Sequence, residues 1–248
     1  MPENEVKAKQ FLNSIDPNLP NDTVQILTFT YADFFSEVDS FWQILDVKQC
    51  QKADNFYFEE HRTQHIIAHG LLRLVLAHYT LQEPQDIVFN IESKGKPFLH
   101  ENSGEWQFNM SHTNSLVSIA IGKKSQVGVD IETVKFDKNI EGIAQRFFAP
   151  SESAEFANYS GALQTEKFYR LWTHKEAVLK ATGEGIAGGL DSWVFNLSEV
   201  PISLRAAPLH MDCNCWSFFH QYLKNQSAML TAAVYHPNVE FLSCMIQV

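Results

Sequence analysis

The stretch QVGVDIETV, residues 126–134, limits what this chain can fold into more than any other. Successive side chains of a strand point to opposite faces, so Val127, Val129 and Ile131 share one side and Gly128, Asp130 and Glu132 the other. The first side asks for a core. The second carries two carboxylates about 7 Å apart, two steps of strand rise, in a conformation that disfavours Asp. Like charges so placed repel unless something cationic stands between them, and the strand is therefore expected to border a site.

The chain around this strand reads as two similar halves. Before it, a strand is expected in TVQILTFTY, helices over residues 33–47 and 59–79, and strands in DIVFNI, WQFNM and LVSIAIG. After it come helical patterns over residues 140–148, 151–158 and 164–182, with Gly183 as the stop signal. Strands SWVFNL, CWSFFHQYL and AMLTAAVY complete the second half. The order strand, helices, three strands thus occurs twice without residue-level repetition, which gives a pseudo-duplicated α+β protein. Its halves are residues 23–125 and 126–248. Residues 1–22, polar and holding Pro2, Pro17 and Pro20, are expected to form an extension on the surface or partly disordered.

With 248 residues and 45% hydrophobic content the chain can fold on its core alone. Its net charge of −10 argues against coating nucleic acid, and any anionic ligand must be met by local cations. There is neither an apolar leader nor a run long enough to cross a bilayer, so a soluble, cytoplasmic protein with no membrane partner is expected. Cys50, Cys213, Cys215 and Cys244 are too scattered for a disulfide framework or a zinc ribbon.

Three clusters carry candidate chemistry. In FYRLWTHKEAVLKATGEG, Glu176 and Lys180 stand four residues apart on one helix face, flanked by Phe168, Leu171, Trp172, Val178 and Leu179 that bury the helix. If Glu176 packs beside the acidic strand, three hard carboxylate donors meet, a set that suits Mg²⁺ rather than zinc or copper. Lys180 would then neutralise a phosphoryl oxygen. FNMSHTNS places Ser111 and His112 in a connection before the next strand, and SKGKPFL holds Lys96 in a turn. The absence of a GxSxG elbow argues against serine hydrolysis. His61, His65 and His69 recur every four residues on one helix and read as solvent-facing or packed.

Taken together these motifs resemble the Sfp-type 4'-phosphopantetheinyl transferases. The family's signature of Gly-(Val/Ile)-Asp-x-Glu followed some forty residues on by Trp-(Ser/Thr)-x-Lys-Glu-(Ala/Ser)-x-x-Lys is matched by GVDIE, residues 128–132, and WTHKEAVLK, residues 172–180. GKP, SH and RFF stand where the family has them. The resemblance implies a monomer of two α/β halves with coenzyme A in the cleft between them. It implies transfer of phosphopantetheine from coenzyme A to a serine of an apo acyl or peptidyl carrier protein, with release of 3',5'-ADP. By similarity, Asp130, Glu132 and Glu176 hold Mg²⁺, Lys180 meets the pyrophosphate, and Lys96, Ser111 and His112 grip the nucleotide and its phosphates. Arg62 matches the family's 3'-phosphate arginine, although NFYFEEHR offers acids and aromatics where relatives carry extra lysines, and Lys52 is the substitute at hand. Glu176 is the first candidate to accept the serine proton and Glu132 the second. The same acids could instead serve a Mg²⁺-dependent phosphohydrolase of a nucleotide or a coenzyme A-like pyrophosphate. In AQRFFAP, Arg146, Phe147 and Phe148 are expected either to meet the carrier or to pack in the core.

Overall fold

Val127, Val129 and Ile131 are fully buried, and the layer they occupy is where the halves meet: Val24, Ile26, Leu116 and Ala120 press on them from the first half, Leu230 and Ala232 from the second. The computed structural model describes residues 7–100, 105–136, 139–185 and 189–246. Its elements run in chain order as α1 (Lys7–Leu12), β1 (Thr23–Thr30), α2 (Val38–Ile44), α3 (Val47–Asp54), α4 (Glu59–Thr80), β2 (Phe89–Ile91), β3 (Pro97–Leu99), β4 (Trp106–His112) and β5 (Leu116–Lys123). The second half continues with β6 (Val127–Thr133), α5 (Ile140–Phe147), α6 (Pro150–Phe156), α7 (Gly161–Thr182), β7 (Val194–Asn196), β8 (Ser203–Ala206), β9 (Ser217–Leu223), β10 (Ala228–Val234) and β11 (Glu240–Ile246).

The duplication is visible in the pairing. The order β1-β5-β4 in the first half matches β6-β10-β9 in the second, all antiparallel. Each half adds a two-stranded sheet, β2-β3 or β7-β8, and one helix of 22 residues, α4 or α7. The last strand then returns to the first half, where β11 runs parallel to β1 at the edge of its sheet. Between the halves β4 meets β6 through side chains: Val129 N donates to Asn109 Oδ1 (2.9 Å) and Ile131 N to Ser111 Oγ (3.3 Å). The backbone edge of β6 is satisfied in this way.

Several elements differ from the sequence expectation. Residues 33–47 do not form one helix, because Leu45 turns extended and Asp46 starts α3 as an N-cap, with Gln49 closing a reciprocal capping box. The N-terminal segment is docked from residue 7 onwards: Ala8 and Leu12, four apart on α1, are buried together with Leu19. Residues 1–6 of that extension lie outside the described residues. Gly183 ends α7 at φ 72°, as the stop signal predicts. Among the described residues no helix is long and apolar enough to cross a membrane.

Candidate active site

Gly128 decides how the site is assembled. A Cβ there would lie 2.0 Å from the carbonyl oxygen of Ala177 and 2.4 Å from the amide of Ala181, so α7 rests directly on the β6 backbone. Only glycine permits that approach. It brings Glu176 and Lys180, on the α7 face turned to β6, down onto the side of the strand that carries Asp130 and Glu132.

The polar side of β6 is consequently covered at Asp130 and half-buried at Glu132. Asp130 is 2% exposed. Its Oδ1 accepts from Lys180 Nζ (2.5 Å) and from Ser111 Oγ (3.0 Å), and Lys180 also donates to Ser111 Oγ (2.8 Å). Lys180 thus reaches across to the strand. The other oxygen, Asp130 Oδ2, is buried without a partner, and so is Glu176 Oε1. Burial pushes the Glu132 carboxyl up to about 7, helped by the charges of Asp130 and Glu176 and opposed by Lys180 and a hydrogen bond from Trp172. Glu176 is raised as well, by burial first and by Asp130 second.

These acids are near enough to feel one another's charge: Asp130 raises both Glu132 and Glu176, and Glu176 raises Glu132. Among the described residues no group of three or more His, Cys, Asp or Glu side chains stands assembled for a metal. The donors nevertheless fit a hard divalent cation: two carboxylate oxygens lack any partner, and a third carboxyl is driven toward its neutral form by burial and its acidic neighbours. A dication at this place would relieve both faults.

A cleft of about 450 Å³ has Glu132 in its wall together with Lys52, His61, His65, His69 and His112. A second space of about 250 Å³, with Phe89, Ile91, Pro97 and Phe108 in its wall, shares Lys52, His65 and His69 with the first. The imidazole stripe is therefore not idle surface. His65 is buried against the carbonyl of Gln49, and His69 bonds the Gln49 amide, with the two rings 4.2 Å apart.

Comparison with known proteins matches the two halves separately. A family profile described as 4'-phosphopantetheinyl transferase, N-terminal, matches residues 33–124, and one described as 4'-phosphopantetheinyl transferase superfamily matches residues 126–233. The 4'-phosphopantetheinyl transferase HetI of Nostoc sp. is 33% identical over 209 residues, covering 80% of this chain and 88% of that protein. The chain belongs to the 4'-phosphopantetheinyl transferase family. The 4'-phosphopantetheinyl transferase Sfp of Bacillus subtilis is 29% identical over 71% of this chain and 78% of its own length.

The residues that the family resemblance singles out do not all face the cleft. His112 lines it, and Lys52 stands at its wall. Arg62 is engaged elsewhere, 3.6 Å from Asp54 and 3.3 Å from Glu59, with its guanidinium over the Trp42 ring. The acids of NFYFEEHR, together with Asp54, account for that. Lys96 donates to the carbonyls of Val127 (3.2 Å) and Ala181 (2.6 Å), tying β6 to the end of α7, and burial lowers its ammonium to about 8. Trp172, which the sequence pattern sets among the residues that bury α7, also hydrogen-bonds Glu132. The ring of Phe147 stands edge-on to Trp172 (5.9 Å) and carries the exposed Arg146 over its face (5.0 Å), whereas Phe148 is core.

Proposed function

We propose that this transferase moves the 4'-phosphopantetheine group of coenzyme A to a serine hydroxyl of an apo acyl or peptidyl carrier protein and releases 3',5'-ADP, acting as a cytoplasmic monomer. The observation that carries this reading is the pair of buried, unpartnered carboxylate oxygens of Asp130 and Glu176, set with Lys180 beside Glu132, which borders a cleft lined by Lys52 and imidazoles. Mg²⁺ held by Asp130, Glu132 and Glu176 would supply charge neutralisation at the coenzyme's pyrophosphate. The protein's own groups do the rest. Lys180, aimed by Asp130 and Ser111, offers its ammonium to a phosphoryl oxygen, where charge grows as the bond to 3',5'-ADP breaks. Lys52 and His112 meet the coenzyme's phosphates from the cleft wall, and Ser111 fixes the angle of Asp130.

As the serine oxygen bonds to phosphorus its proton goes to a carboxylate, Glu176 first and Glu132 second, a step typically worth about 10²–10⁴-fold. The test is incubation with coenzyme A, Mg²⁺ and an apo carrier protein, followed by intact mass. The carrier should gain one phosphopantetheine. Release of free phosphopantetheine with an unmodified carrier would favour the hydrolase reading instead.

A further inference from the structure

Each of the two long helices buries one cation at the same place. Arg73 is the fifteenth residue of α4 and Lys175 the fifteenth of α7, and the side chains of both are 0% exposed. Arg73 donates to Asp46 Oδ2 (2.6 Å), to Gln49 Oε1 (2.6 Å) and to the carbonyls of Pro84 (2.9 Å) and Ile87 (3.0 Å). Lys175 donates to Glu152 Oε2 (2.7 Å) and to the carbonyls of Leu190 (2.7 Å) and Trp193.

The partners correspond too. Asp46 is the N-cap of α3, and Glu152 accepts from Ala149 N (2.9 Å) at the start of α6, so in both halves the acid also caps the short helix that precedes the long one. Glu152 Oε1 further accepts from Phe195 N (2.7 Å). In both halves the carbonyls belong to the segment that leads from the long helix to its two-stranded sheet. One buried cation thus joins three pieces of chain, twice.

Stability alone does not explain such a device. Buried ion pairs are often replaced by apolar residues without loss, because desolvation offsets their attraction. Directed bonds give something that apolar contact does not, a fixed roll of the helix about its axis. The residue next to the cation differs between the halves. On α4 it is Leu74, within the apolar core, while α3 and α4 together hold Lys52 and the imidazoles at the cleft. On α7 it is Glu176, with Lys180 one turn later.

We propose that the two buried cations are matched positioning residues: Lys175 with Glu152 aims Glu176 and Lys180 at Asp130, and Arg73 with Asp46 holds the cleft wall. This rests on the function proposed above. Lys175→Met combined with Glu152→Leu removes the second clamp without stranding a charge, and Arg73→Met combined with Asp46→Asn removes the first while keeping an N-cap. The Lys175 pair is expected to lose about 10²-fold in kcat, the cost of a misplacement near 1 Å, with KM for coenzyme A little changed. The Arg73 pair is expected to raise KM for coenzyme A with kcat little changed. Glu152→Asp and Arg73→Lys, which keep every charge, should show the same split more weakly, and they stand in if a double variant does not fold.

Loss of kcat and KM in equal proportion to the fall in melting temperature for both pairs, or wild-type kinetics in the double variants, would overturn the proposal. Amide hydrogen exchange separates the two claims. Faster exchange at residues 176–180 in Glu152→Asp supports the clamp even if the wild type transfers nothing, and unchanged exchange there counts against it even if transfer is confirmed.

Discussion

Asp130 lies under a helix with one oxygen bonded twice and the other not at all, and this asymmetry is what its neighbours exploit. The identity of the acids was legible in the sequence because strand alternation put them on one face. Their burial was not, since it depends on α7 lying over β6, a contact between residues some fifty positions apart. Two residues the family resemblance groups together separate here. His112, at the cleft wall, should mainly bind: His112→Ala is predicted to raise KM for coenzyme A several-fold with kcat nearly kept, as steady-state kinetics would register. Lys96, bonded to two backbone carbonyls, should mainly hold the fold, so Lys96→Ala is predicted to lower the melting temperature as well.

His69 gives a pH prediction at the same scale. Burial, with His65, Lys52, His112 and Arg73 around it and no acid among these neighbours, lowers its imidazole from 6.5 to about 3. The folded state therefore binds this proton less readily than the unfolded chain, so the stabilisation is whole above about pH 6.5 and drains away as pH falls toward 3. Roughly 2 kcal/mol should be gone by pH 5 from this group. Urea unfolding from pH 7 to 5 should show that slope in the wild type and a flatter one in His69→Gln. Equal slopes would contradict the assignment.

At the scale of elements, the long helices and central strands were readable because their apolar periods are uninterrupted, and Gly183 marked the end of α7. The short strands β3 and β8 and the edge strand β11 were not: β3 starts at Pro97 straight out of a turn, β8 buries no residue fully, and β11 is half exposed and owes its place to β1. The contact that matters most is α7 on β6 at Gly128. Gly128→Ala forces the helix backbone away and is predicted to destabilise by about 1–3 kcal/mol, the usual cost of overpacking. Transfer should fall further than that stability loss accounts for, because Glu176 and Lys180 move with the helix. Chemical denaturation paired with transfer rates on the folded fraction would check it; full activity per folded molecule would count against the role given to this contact.

For the whole molecule the duplicated order of elements announced two halves, but not that β11 closes the second half onto the first sheet, because no local signal records a parallel pairing between the chain's two ends. Charge sets the terms for the protein partner. A net charge of −10 offers no long-range attraction to an anionic partner surface, so docking on one must rest on local groups. Arg146 is exposed and stacked on Phe147, which contacts Trp172, itself bonded to Glu132. Arg146→Glu is predicted to raise KM for the apo carrier while sparing KM for coenzyme A and the melting temperature. Varying the two substrates separately would reveal it, and equal effects on both would return this stretch to the scaffold.

The central claim is that Asp130, Glu132 and Glu176 make one divalent-cation site that serves transfer. Titration of Mn²⁺ into the wild type and into Asp130→Asn, followed by electron paramagnetic resonance with coenzyme A present, tests it most directly. The account predicts one bound ion per wild-type chain, displaced by Mg²⁺, and loss of that ion together with transfer in Asp130→Asn while the variant stays folded. Equal Mn²⁺ binding by both proteins, or none by the wild type while it still modifies the carrier, would contradict it.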